Sequence, residues 1–165
     1  MTEAEKSIGN NRFMVIPKTL VFVFYNDQVL LIKGGPQKKW WSGCFNGVGG
    51  HVEYGEDILT AVRRELKEET SLEVDVLNLC AVAMIDDSDT IGSVVFMFKA
   101  EYASGELTQT NEGELEWLRV KDLDQFPVLE DLKVLIPKIK LMKPGETPLM
   151  LSYRMNKNEE LLLKI

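Results

Sequence analysis

Gly50–Leu72 reads GHVEYGEDILTAVRRELKEETSL, and the helix within it places carboxylates where a helix ordinarily buries apolar side chains. Turning about 100° per residue from Glu65, Ile58, Val62, Leu66 and Leu59 fall on one side, and Ala61 and Leu72 extend the same arc on the other. Glu69 lands about 40° from Glu65, so both carboxylates lie inside the apolar arc. Asp57, Thr60, Arg63, Arg64 and Lys67 fill the polar arc instead. A buried carboxylate without a partner is costly and neutralises before it pays that cost. The pattern therefore predicts a cation at this face, and a divalent metal fits.

The position along the helix points the same way. Glu65, Glu68 and Glu69 crowd the C-terminal half, where the macrodipole favours cations. Their i, i+3, i+4 spacing brings the side chains to one face. Oxygen ligands of this kind suit a hard cation, Mg²⁺ with Mn²⁺ as the alternative. The competing reading is a solvated acidic face paired with Arg63, Arg64 and Lys67; the placement inside the apolar arc favours the metal.

Gly50, five residues, Glu56, seven residues and then Arg64-Glu65-Leu66-Lys67-Glu68-Glu69 resembles the Nudix box in both spacing and residue type. The family ends its box with a glycine and an aliphatic residue. Here Ser71 stands in place of the glycine and Leu72 supplies the aliphatic, so the departure falls on the helix-ending residue and not on a carboxylate. The resemblance implies an α/β Nudix fold, with a mixed and largely antiparallel sheet sandwiched between helices. It also implies a hydrolase that cleaves a phosphoanhydride with divalent metal and water. On that basis Glu65, Glu68 and Glu69 would hold metal together with the Gly50 carbonyl, Arg64 would orient Glu65 and Glu68, and Glu56 would pair with Arg64. Many relatives add a glutamate from a later loop, and in NEGELEW that role would fall to Glu112, ahead of the strand that Glu114 and Glu116 begin.

A looser resemblance reaches from about residue 18 to 165 and points to the oxidised-purine nucleoside triphosphatases, the 8-oxo-dGTP diphosphatase branch. Thr19-Leu20-Val21, Phe45 to Gly50, Trp117 with Leu123 to Pro127, Glu130-Asp131 and the C-terminal segment carry it. It implies that Asn46, Glu130 and Asp131 bind the base, and an amide or a carboxyl group suits a purine edge. Val128 and Leu129 stand where those relatives place a stacking tryptophan; Trp40, Trp41 and Phe45 are the substitutes at hand. ADP-ribose, a dinucleoside polyphosphate or an RNA 5′ end are alternative substrates, and a non-catalytic nucleotide sensor is an alternative function. Intact box carboxylates argue against the sensor.

The rest of the chain sets bounds. One domain over residues 1–165 is expected, with 1–15 flexible. Hydrophobic content of 45% and charged content of 27% are those of an ordinary soluble protein. A net charge of −7 argues against long nucleic acid and against an anionic membrane as partners. A nucleotide remains compatible, as do a monomer and a homodimer. Two cysteines, Cys44 and Cys80, without metal-ligand spacing suit a reduced cytoplasmic setting, and no leader or spanning segment is expected. His51 reads as structural or supporting. Strands are expected at Thr19–Tyr25, Val29–Lys33, Phe45–Val52, Glu73–Ile85, Ser93–Tyr102 and Glu114–Val120, helices at Asp57–Thr70 and Leu129–Leu141, and a final hairpin turning at Asn156–Asn158.

Overall fold

A computed structural model describes residues 12–86, 91–155 and 161–164. Its centre is β1 (Met14–Tyr25), whose run of β-branched and aromatic side chains is built for a buried strand. Asn26, at φ 54°, turns the chain into β2 (Gln28–Gly34), which returns antiparallel to β1. After β3 (Phe45–Asn46), helix α1 (Ile58–Thr70) crosses the sheet. β4 (Asn78–Asp86), β5 (Ile91–Glu101) and β6 (Gly113–Arg119) follow, then a 3-10 segment (Val120–Gln125), helix α2 (Glu130–Leu141), β7 (Leu149–Met155) and β8 (Leu161–Lys164).

The strands form one mixed sheet in the order β3-β2-β1-β5-β4-β7-β8, with β6 also paired to β2. β1–β5 and β4–β7 are parallel; the other pairs are antiparallel. Alternation along β1 divides the core. Val21 and Val23 pack with Val62 and Leu66 of α1, whereas Phe22 and Phe24 pack with Leu132, Leu135, Ile136 and Ile139 of α2. Each such fully buried side chain contributes about 1.5–3 kcal/mol, and the two layers fix a helix on each face, as the resemblance implies.

Several expected boundaries move. β1 starts at Met14, with Met14 and Val15 paired to Ile91 and Gly92, so these two residues of the segment expected to be flexible belong to the sheet, while 1–11 lie outside the described residues. The expected strand over 45–52 is regular only at Phe45–Asn46; beyond it Val48 and His51 make isolated bridges to Val21 and Lys18, because Gly47, Gly49 and Gly50 supply little side chain to pack. β4 begins at Asn78, not Glu73, and its register shifts between Leu79 and Ala81. Leu59, placed at the edge of the apolar arc, is half exposed, whereas Ile58 in the same turn packs against the core. Pro137 is accommodated inside α2. The expected turn at 156–158 lies outside the described residues.

Candidate active site

Asp57 starts α1 as its cap, accepting from the Thr60 N–H at 2.9 Å and from the Thr60 hydroxyl at 2.8 Å. At the other end Ser71 takes φ 64° and its N–H donates to the Lys67 carbonyl. The serine therefore adopts the left-handed ending that the family gives to glycine.

Between these caps Arg64 organises the acids. Its Nε and Nη2 reach the two oxygens of Glu56 at 3.1 and 2.6 Å, a bidentate pair. Its Nη1 donates to Glu65 Oε1 at 2.9 Å and to Glu68 Oε2 at 3.3 Å, and Nη2 also donates to the His51 carbonyl at 3.0 Å. Glu56 Oε1 accepts in addition from the Glu53 N–H at 2.7 Å. Arg64 holds the Glu56 carboxyl below the usual carboxylate range, and Glu56 in turn raises the guanidinium. Arg64 thus contacts all three of the acids, Glu56, Glu65 and Glu68, that the resemblance paired with it.

Glu69 is the buried member of the cluster, 8% exposed. Burial pushes its carboxyl up to about 7, against the Gly49 N–H that donates to Oε2 at 3.1 Å. Nearby Glu65 and Glu112 push in the same direction, and Lys38 pulls back. Glu65 is also largely covered, whereas the Glu68 side chain is 60% exposed. The helical arithmetic thus places Glu65 and Glu69 correctly on the covered face.

The glycines in front of α1 are there for close approach. A β-carbon on Gly49 would lie 2.0 Å from the Thr19 carbonyl oxygen, and one on Gly50 would lie 2.5 Å from Glu65 Oε1. The Gly50 carbonyl accepts from the Thr19 N–H at 2.8 Å, leaving one lone pair for a ligand. Thr19 itself is buried, and its hydroxyl has no hydrogen-bond partner among the described residues. It shares the α1 side of β1 with Val21 and Val23.

Glu112 lies in the turn before β6, its carboxylate paired with Lys38 Nζ at 2.9 Å. Among the described residues no three acids are gathered into a ready metal cage; Glu68 turns to Arg64 and Glu69 to Gly49. The donor chemistry nonetheless fits a hard divalent cation: carboxylate and carbonyl oxygens, partly desolvated, with the charges of Glu65 and Glu112 raising the Glu69 carboxyl.

On the α2 side of the sheet, the Phe45 N–H donates to the Pro127 carbonyl at 2.7 Å, and the Leu129 N–H donates to the Phe45 carbonyl at 3.2 Å. This brings β3, and with it Asn46, alongside the start of α2. Asn46 Oδ1 accepts from the Gly47 N–H. Asp131 Oδ2 accepts from the Tyr153 hydroxyl at 2.7 Å, while Glu130 is exposed and pairs with Lys133. Burial and Asp131 together raise the Tyr153 phenol. Of the substitute aromatics, Phe45 is 2% exposed and belongs to the core, which removes it as a stacking face; Trp40 is the exposed one. Lys38 and Tyr153 escaped the sequence reading, and Thr19 entered it only as the start of a strand. Lys38 stood in a polar loop with nothing to aim it, and Tyr153 meets Asp131 only across the fold.

This fold and acid cluster define a Nudix domain: the NUDIX domain pattern matches residues 15–139, and the chain belongs to that family as a pyrophosphohydrolase. It is 35% identical over 112 residues to an oxidized purine nucleoside triphosphate hydrolase of Danio rerio, covering 66% of this chain and 67% of that protein. It is 37% identical over 106 residues to an ADP-ribose pyrophosphatase of Methanocaldococcus jannaschii, covering 63% and 60%. Among solved structures, a MutT protein from Bacillus halodurans superposes with a TM-score of 0.72 at 27% identity, covering 91% of this chain and 97% of that one. Members of the family generally work with divalent metal ions. No helix among the described residues is long and apolar enough to cross a membrane.

Proposed function

We propose that this enzyme hydrolyses a nucleoside triphosphate with an oxidised purine base, 8-oxo-dGTP or a relative, to the monophosphate and pyrophosphate, using Mg²⁺ or alternatively Mn²⁺. The observation that carries the hydrolytic reading is Glu69, a covered carboxyl pushed up to about 7 beside a Glu65 fixed by Arg64. Such a site has acids in excess of cations. Glu65, Glu68, Glu69, Glu112 and the free lone pair of the Gly50 carbonyl are the atoms that would hold metal. When bound, a divalent cation supplies charge neutralisation to the polyphosphate and polarises a water for attack. The chain's own part is to keep those oxygens in place: Arg64 spans Glu56, Glu65 and Glu68, and Gly49 holds Glu69.

For the base, support comes from the name of the zebrafish relative and from the backbone bonds that set Asn46 beside the start of α2. Asn46 offers a donor and an acceptor to a purine edge. Asp131, with one oxygen occupied by Tyr153, presents the other as an acceptor. The 37% identity to an ADP-ribose pyrophosphatase favours a second reading, in which the same metal site serves a nucleoside diphosphate sugar. Steady-state kinetics on 8-oxo-dGTP and dGTP separate them. Asn46→Ala should lower kcat/KM for 8-oxo-dGTP by about tenfold or more, the loss of a good hydrogen-bonded pair, and erase any preference over dGTP. Equal rates on both nucleotides in wild type, with faster cleavage of ADP-ribose, would shift the assignment to the second reading.

A further inference from the structure

Arg64 has no donor to spare, because its five N–H groups already meet Glu56 twice, Glu65, Glu68 and the His51 carbonyl. A polyphosphate arriving at these acids needs another cation, and Lys38 stands within electrostatic reach of Glu69. Its Nζ lies 2.9 Å from Glu112 Oε2, a contact between residues 74 apart in sequence that joins the β2–β3 loop to the turn before β6.

The loop that carries Lys38 is a folded turn. The Lys38 N–H donates to the Gly35 carbonyl, the Gly43 N–H to Gly34 and the Cys44 N–H to Trp41. Lys38 Nζ lies 5.5 Å from the centre of the Trp41 ring, an attraction that steadies the ammonium above the loop. Glu112 occupies one of the three donors of that ammonium. The two side chains are 33% and 55% exposed, and ion pairs of that exposure contribute little and exchange readily.

We propose that Lys38 is a phosphate-binding and positioning residue. It holds Glu112 aside in the substrate-free protein and exchanges it for a phosphate oxygen when a polyphosphate binds, leaving Glu112 free to join Glu65 and Glu69. The proposal rests on the hydrolase reading and on Glu112 as an oxygen ligand. Unpaired, the Glu112 carboxylate would add a further negative charge beside Glu65 and Glu69; the ammonium offsets it. A polyphosphate presents that ammonium with more negative charge than a single carboxylate does, so the exchange runs toward phosphate.

Calorimetric titration of the full chain tests this without turnover, using Mn²⁺ alone and then inorganic pyrophosphate in the presence of Mg²⁺. Lys38→Met should tighten Mn²⁺ binding about threefold or more and weaken pyrophosphate binding about tenfold, opposite signs that a purely structural lysine would not produce. Lys38→Arg, which keeps the charge and the fold, should retain pyrophosphate binding. Glu112→Gln should cost Mn²⁺ affinity at least about threefold more in the Lys38→Met background than in wild type. Unchanged affinities in Lys38→Met, or equal Glu112→Gln losses in the two backgrounds, would overturn the exchange alone. A wild-type chain that takes up no Mn²⁺ would overturn the hydrolase reading with it.

Discussion

Glu69 is asked to be buried and charged at once. Its carboxyl titrates at about 7 in the fold against 4.5 when unperturbed, so the native chain holds an extra proton between those values. The stability from this group is fully present below the unfolded pKa and is lost as pH rises through the folded one. Metal-free Glu69→Gln should therefore gain on wild type by up to about 3 kcal/mol between about pH 5 and pH 8, while losing most turnover. Urea melts at the two pH values check this, and a gap that does not widen with pH contradicts it. Arg64 acts in the opposite sense, since its removal leaves Glu56, Glu65 and Glu68 facing one another. Arg64→Ala should cost about 2–4 kcal/mol, and Arg64→Lys should recover little of it because three donors cannot reproduce a planar fork. A denaturation midpoint for Arg64→Lys equal to that of wild type would show that charge alone suffices. The sequence announced Glu69 through helical spacing and Arg64 through its likeness to the Nudix box; it was silent on Lys38, whose partner lies 74 residues away.

At the scale of the element, α1 was legible because its departures from ordinary amphipathicity are local. Period and spacing put Glu65 and Glu69 under cover, yet they also put Leu59 there, and Leu59 is half exposed. Periodicity describes a face without saying how wide a strip of it the neighbouring core covers, and Leu59 falls outside that strip while Ile58 falls within it. Strand β3 was overdrawn for a related reason: FNGVGG is extended, but its glycines serve close backbone approach, which sequence pattern does not separate from a ladder. Ser71 provides an element-level test. A serine at φ 64° bears a penalty that glycine escapes, so Ser71→Gly should raise stability by up to about 1 kcal/mol, read as a higher Tm with unaltered metal affinity. Gly49→Ala should do the reverse, because its β-carbon would meet the Thr19 carbonyl. A folded Gly49→Ala chain with wild-type Tm would refute the close-approach argument.

Across the whole molecule, one sheet separates two cores and so separates two kinds of mutational effect. Ile139 is fully buried on the α2 face, two turns beyond Asp131 and across the sheet from α1. Ile139→Ala should cost about 2–5 kcal/mol while leaving KM for the nucleotide within about twofold of wild type. A large rise in KM would mean that the α2 core reaches the site. The order of strands could not be read from sequence, since the parallel β1–β5 and β4–β7 neighbours are joined only through long connections. What the sequence did carry, through the box and the looser likeness beyond it, was the fold class and the acids of α1.

We propose that those acids serve hydrolysis of a nucleoside triphosphate at the bond that frees pyrophosphate. The most direct measurement is product identification from 8-oxo-dGTP, dGTP, ADP-ribose and a dinucleoside polyphosphate with Mg²⁺, run in parallel on wild type and Glu68→Gln/Glu69→Gln. Pyrophosphate and monophosphate should appear from 8-oxo-dGTP in preference to the others, and be absent with the double variant. Wild-type rates from the double variant, or no pyrophosphate from any triphosphate, would contradict it.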